Sequence, residues 1–218
     1  EESRLVSLLD KLTPSQRSKI QAETAAAAAR AKYPWMRTVV LNPGAFFGPT
    51  GRRCFMNDLI LAILKGRTKQ VPPGGCSVAF LPEVAKAVVE AGIKEKVASR
   101  YVLADQYITL SELAYALEAC LGADKPPDFS IPTVTPLWIL RPLIAVTTPY
   151  ARWTKAEQHP VMPPHIIGYV SRHIQADTSK AQQDLGFRPT PLTTGLRATV
   201  AHMRSLGLLQ YKASAPRS

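Results

Sequence analysis

Gly44, Gly48 and Gly51 follow an apolar run, Arg37 to Leu41, at the kind of place where a phosphate-cradling turn would stand. Their spacing, G-x3-G-x2-G, is not G-x-G-x-x-G, Pro49 interrupts it, and no acidic residue stands about 20 positions later. The pattern is therefore a loop after a strand rather than a dinucleotide fingerprint. Asn42, at the end of the same run, fits two readings. It is a substrate contact, since ligands of open α/β sheets bind beyond the carboxyl ends of strands, or it is a turn asparagine. Arg52 and Arg53 would hold an acidic or phosphorylated ligand, or stand as a solvated loop pair. His159, His165, His173 and His202 lack metal-ligand spacing, so no metal site is expected. Cys54, Cys76 and Cys120 are odd in number and far apart, which speaks against a disulfide framework and against zinc.

The elements that would position these residues read as an α/β chain. A helix over residues 12–32 is capped at Thr13, has Pro14 at its first position and contains Ala25 to Ala29. Arg37 to Leu41 is a continuous β-branched run, the pattern of a parallel strand covered on both faces, stopped by the turn signal Asn42-Pro43-Gly44. A helix near 57–64, a loop over 70–75, a strand over 77–81 and a helix over 82–92 follow. A short strand over 100–104 precedes an amphipathic helix over 110–121, with Thr109 or Ser111 as its cap and Gly122 as its stop. The proline-rich stretch 126–165 resists assignment, apart from a helix over 137–144 kinked at Pro142. Helices over 179–185, closed by Gly186, and 192–206, closed by Gly207, end the pattern.

Composition narrows the field. The 218 residues are 46% hydrophobic and 20% charged, enough for a packed core. A formal net charge of +11 favours anionic neighbours, yet no nucleic-acid-binding motif accompanies it, so nucleic acid is not an expected partner. The longest apolar candidate, Leu137 to Val146, is broken by Arg141 and Pro142 and falls short of the ~18 residues a membrane span needs. No signal peptide is visible. Trp138 to Trp153 reads as packing or as a partner-facing patch.

Several fragments in fixed order carry a resemblance. They are Ser18-Lys19 with Ala22-Glu23; Asn42-Pro43-Gly44 through Gly48-Pro49; Pro73-Gly74-Gly75 and Glu83-Val84-Ala85; Arg100-Tyr101-Val102-Leu103 with Thr109-Leu110-Ser111-Glu112-Leu113; and Asp177-x-x-Lys180-Ala181 with Leu185-Gly186-Phe187-x-Pro189. Together they resemble the C-terminal two-thirds of an extended short-chain dehydrogenase/reductase, the NAD(P)-dependent epimerase/dehydratase and dihydroflavonol-reductase-like group.

The resemblance implies the C-terminal half of a Rossmann-like parallel sheet plus the small α/β substrate lobe of extended members. Residues 1–75 would form the second half of the Rossmann-like domain, and 76–218 the substrate-lobe region with elements returning to that core. It further implies NAD or NADP as cofactor, with Lys19 on the nicotinamide ribose and the main chain of Pro43, Gly44, Ala45 and Phe46 facing the nicotinamide ring. Asn42 and Arg53 would face substrate.

Two departures stand out. The family's catalytic tyrosine lies four residues before the lysine, one helical turn away on the same face. Here that position is Ser15, whose hydroxyl is shorter and far less acidic than a phenol. The family's glycine-rich βαβ half is also missing from the pattern, so the chain alone is expected to bind no cofactor. Strands from an N-terminal portion, a separate chain or a host complex would complete the sheet. The expected role is a non-catalytic structural or accessory subunit of a larger assembly. The alternative is the C-terminal portion of an active NAD(P)-dependent reductase or epimerase. An organellar matrix, the mitochondrial one first, is the expected location, with the cytoplasm as the alternative.

Overall fold

The computed structural model describes residues 14–51, 54–142, 145 and 164–209. Helix α1 (Pro14–Lys32) leads into β1 (Val40–Pro43), β2 (Ala45–Phe47) and α2 (Phe55–Leu64). Then come β3 (Gln70–Val71), β4 (Gly75–Phe80), α3 (Leu81–Ile93), β5 (Arg100–Leu103), β6 (Gln106–Thr109) and α4 (Leu110–Leu121). After β7 (Thr133–Val134) and a helical stretch over residues 137–142, α5 (Pro164–Val170), α6 (Ser179–Leu185) and α7 (Leu192–Ser205) complete the order. No described helix is long and apolar enough to cross a membrane.

The strands are short and their pairings distant in sequence. β1 pairs in parallel with β5, and β3 with β7. β4 lies between β2, which runs parallel to it, and β6, which runs antiparallel. Every residue of β4 is buried. Cys76, Val78 and Phe80 join a core made with Met56, Ile60 and Ile63 of α2, Leu113 and Leu117 of α4 and Leu196 of α7. Ala79 points the other way, into a second core with Leu103, Ala87 of α3 and Ala181 of α6. A strand buried on both faces favours apolar residues, and β4 is apolar but for Ser77, whose buried hydroxyl accepts from the Ala176 N–H at 3.0 Å and donates to the Ile174 carbonyl at 3.3 Å.

This corrects the expectation for Arg37 to Leu41. The strand begins only at Val40 and none of its residues is fully buried. Asn42 and Pro43, expected in a turn, are its last residues. Arg37 lies outside it, and its guanidinium donates to the carbonyls of Gly92 and Lys94 at the C-terminal end of α3. A cation at that helix end is favoured by the helix dipole, so the Arg37 side chain ties the segment before β1 to α3.

Helix ends follow local chemistry more closely. Between the two expected caps of α4, the choice falls on Thr109. Its Oγ1 accepts from the Glu112 N–H at 3.1 Å, while the Glu112 carboxylate accepts from the Thr109 N–H at 2.7 Å. That second bond holds the Glu112 carboxyl below its ordinary pKa. Gly186 ends α6 in the left-handed region (φ 66°, ψ 25°), where a side chain would be strained. The expected Thr13 cap, Arg52, Arg53, His159 and most of the Trp138–Trp153 stretch lie outside the described residues; Trp138 itself is 76% exposed.

Asp105, between β5 and β6, ties the two cores together. Its carboxylate accepts from the Phe80 N–H at 2.7 Å, directly ahead of α3. Burial pushes its pKa up to about 6, against the opposing pull of the Phe80 and Thr190 main-chain N–H groups. An acid held above its unfolded-state pKa keeps its proton longer in the folded protein. Its stabilising contribution is present at about pH 4 and is lost as the pH rises through about 6, a span worth about 1–2 kcal/mol once solvent screening of this partly exposed carboxyl is allowed for. Asp105→Asn is therefore expected to remove a decline in stability between pH 4 and 7. Denaturant midpoints of both proteins across that range would check it, and parallel curves would refute it.

Candidate functional site

Lys19 stands on α1 at the fourth position after Ser15, so the two backbone positions share a helix face. None of the α1 side chains that the structure describes is buried. An ion pair between Glu23 and Arg100 of β5 ties the helix to the sheet; both side chains are partly exposed, so the pair contributes at most about 1 kcal/mol. Lys19, Ala22 and Glu23 form one wall of a cleft of ≈ 630 Å³. The chain from Leu41 through Phe46 forms the next wall.

The second wall is held in place by close backbone contacts. At Gly44 the chain leaves the β1–β5 pair and joins β4 through β2. The Gly44 N–H donates to the Leu103 carbonyl at 2.8 Å. A Cβ at Gly44 would stand 2.4 Å from the Ser77 carbonyl oxygen, so no larger residue fits that crossing without moving backbone. Two hydrogen bonds from Asn57 clamp the following turn: Gly48 N–H to Asn57 Oδ1 at 3.1 Å, and Asn57 Nδ2 to the Gly48 carbonyl at 2.8 Å. The His202 ring nitrogen Nε2 lies 3.1 Å from the Thr50 carbonyl and anchors the loop to α7.

The rest of the cleft is drawn from α2, β4, α4 and α5: Phe55, Cys76, Leu110, Ile166, Tyr169 and Val170. Burial pushes the Cys76 thiol up to about 11, which keeps it protonated and unreactive at neutral pH. Burial, with the nearby Cys76 adding a smaller push, also raises the Tyr169 phenol above its ordinary value. Among the described residues no cluster of His, Cys, Asp and Glu could hold a metal ion. His173 instead shares a 2.9 Å hydrogen bond with the Tyr107 hydroxyl. The three cysteines are unpaired.

Six residues that the resemblance singles out, Lys19, Asn42, Pro43, Gly44, Ala45 and Phe46, thus line one cleft. Arg53 lies outside the described residues, and of Ser15 only the helical backbone is described. Of the cleft residues from Phe55 to Val170, Leu110 alone falls within a motif of the resemblance, and nothing in that motif marks it as a cleft residue. They come from four elements spread over more than a hundred positions, and Ile166, Tyr169 and Val170 sit in or beside the stretch whose pattern resists reading.

Short, mostly parallel strands packed with helices, and a cleft at the carboxyl end of β1, make this a Rossmann-like α/β fold. Solved structures bear this out. The crystal structure of gox2253 superposes with a TM-score of 0.67 at 21% identity, covering 90% of this chain and 57% of its own. A nucleoside-diphosphate-sugar epimerase from Pseudomonas aeruginosa gives 0.62 at 19%, covering 86% and 55%. The UDP-glucuronic acid 4-epimerase of Bacillus cereus, solved with UDP-glucuronic acid and NAD, gives 0.59 at 16%, covering 89% and 54%. In sequence, sterol demethylase protein B of Methylococcus capsulatus is 22% identical over 171 residues, 78% of this chain. The chain spans about half the length of that relative, 51%. No protein-family model matches the chain.

Proposed function

We propose that this chain forms the nicotinamide- and substrate-facing part of an NAD(P)-dependent oxidoreductase or epimerase. The observation that carries this reading is the convergence of Lys19 with the Asn42–Phe46 segment on one cleft of ligand size. The presence of NAD in the Bacillus cereus epimerase structure, which shares the fold, supports it.

The residues present fit the nicotinamide riboside end of such a cofactor. The Lys19 ammonium would bind ribose hydroxyls, and the Pro43–Phe46 main chain would lie along the flat ring. When bound, the cofactor supplies hydride transfer. Asn42 would orient the substrate, and the apolar walls exclude water from the reacting atoms.

The pyrophosphate would rest elsewhere. Among the described residues β1 pairs with β5 alone, so its outer edge offers unpaired main-chain groups. A strand of the remaining nucleotide-binding layer, from the same protein or a partner chain, would pair there and carry the phosphate-binding turn.

Lys19→Ala in the full-length protein is expected to weaken NADH or NADPH binding about tenfold or more, read by titrating nucleotide fluorescence. Wild-type protein that shows no saturable binding of either nucleotide at millimolar concentration would sink the proposal. A second reading, a non-catalytic accessory subunit, is favoured by one observation: a serine holds the place of the family's phenolic proton donor.

A further inference from the structure

Helix α3 has three faces of different character. Val84, Ala87 and Ala91 point inward and join Tyr101 and Leu103 of β5 and Ala181 of α6 in the second core. Glu83, Lys86 and Glu90, with Lys94 just past the helix end, fall on one flank at spacings of three and four. The third face carries Ala85, Val88, Val89 and Ile93, the i, i+3, i+4, i+8 spacing of a stripe that packs. It is turned to solvent instead: Val88 is 51%, Val89 59% and Ile93 68% exposed. We propose that this face is a docking surface for α3 of a second copy of this chain, with the two helices antiparallel.

A surface helix ordinarily turns one apolar stripe to the core and polar residues to water, whereas a helix apolar on two faces is covered on both. Val88, Val89 and Ile93 are neighbours on the outer face, so they make one contiguous patch rather than isolated exposures. Among the described residues, the inner face of α3 rests on β4, β5 and α6. Strands that complete the sheet would add at the edge of β1 away from β5, and so extend the layer away from α3.

The charged flank indicates what covers the patch. From Glu83 through Lys86 and Glu90 to Lys94 the signs alternate, beginning negative and ending positive. In an antiparallel pair this flank meets the same flank in reverse order, so every charge faces its opposite. A crossing centred near Val88 sets Lys86 level with the second copy's Glu90, and Glu90 level with the second copy's Lys86. Both side chains are partly or well exposed, so both can reach across. One two-fold operation produces both pairs, which makes the contact isologous and closed. Within one chain Lys86 lies 2.9 Å from Glu83, and Lys94 lies 3.7 Å from Glu90. The flank is therefore neutral in sum, and a copy can approach it although the whole chain carries +11.

The test is sedimentation equilibrium of the full-length protein over a concentration series, with native mass spectrometry of mixtures. The wild type is expected to self-associate through this face. Val89→Glu, at an exposed position where folding tolerates the change, should raise the dissociation constant by about tenfold or more. Lys86→Glu sets like charges level with each other and should weaken association about fivefold or more, as should Glu90→Lys. Mixing these two single variants should give mixed dimers tighter than either homodimer, because the facing charges are then opposite at both pairs. The double variant Lys86→Glu with Glu90→Lys should regain most of the wild-type affinity, which separates a lost contact from a damaged fold.

If the protein also associates through another face, the loss of one level of assembly in Val89→Glu supports the proposal equally. A wild type that stays monomeric throughout would overturn it, since the patch is then covered by another part of the full-length chain or by a different partner. Association indifferent to Val89→Glu would place the contact elsewhere and overturn it too. Single charge variants that weaken association without forming mixed dimers would refute the antiparallel pairing of two copies.

Discussion

Gly44→Ala should destabilise the protein by roughly 2–3 kcal/mol, a large effect for the addition of one methyl group. The reason is geometric. The new Cβ would stand 2.4 Å from the carbonyl oxygen of Ser77 and 3.1 Å from its carbonyl carbon. Both belong to the backbone of β4, whose residues are all buried, so nothing nearby can rotate away. Relief requires β1 and β2 to separate from β4, which would also displace the cleft wall from Pro43 to Phe46. For a chain of this length the melting temperature should fall by roughly 4–12 °C. Gly92→Ala is the control. It lies in α3 with no atom within 4 Å of its would-be Cβ, so the helix should gain about 0.5–1 kcal/mol. A Gly44→Ala protein melting within a degree or two of the wild type would show that this crossing is not tight.

Ser15→Tyr carries the largest expected gain. Position 15 lies one helical turn before Lys19, with the Lys19 side chain on the wall of the cleft. A phenol there would stand near an ammonium, which lowers its pKa and readies it for proton transfer. General acid catalysis of this kind contributes about 10²–10⁴-fold. Turnover of a ketone by the full-length variant with NADH or NADPH should rise by a factor in that range, while nucleotide affinity changes less than twofold. The accessory-subunit reading and the catalytic one part here. A wild-type protein with nucleotide bound but negligible turnover, rescued by the tyrosine, is a binding protein that has lost its acid. An unaltered rate in the variant with nucleotide bound would refute the assignment of position 15.

Much of this molecule is legible one segment at a time. Pro14 starts α1 and Gly186 closes α6, as expected, and Thr109 and Gly122 bracket α4, because caps and left-handed stops are settled by hydrogen bonds and backbone angles within a few residues. The motifs around Lys19 and Asn42–Phe46 were equally readable, and so were the residues that should share a site. What those motifs could not reveal was the opposite wall, because Tyr169 and Cys76 line it together although 93 positions apart in the chain, and α5 sits at the end of a proline-rich stretch.

Strand assignment divides along the same line. β2, β3, β6 and β7 are two to four residues long, too short for an alternating pattern to register, and each exists only through a partner element elsewhere in the chain. The run Arg37 to Leu41 looks like a doubly buried strand by composition, yet that role falls to Gly75–Phe80. Composition can mark a segment as able to sit between two layers of helices. Which segment does so depends on where the layers pack, and packing is a property of the whole chain. The sequence by itself therefore determined most of the helices and their ends, α5 excepted, and the order of the site motifs, through local hydrogen bonding. Tertiary structure alone decided the central strand and the apolar wall facing Lys19, because both consist of contacts between residues remote in sequence.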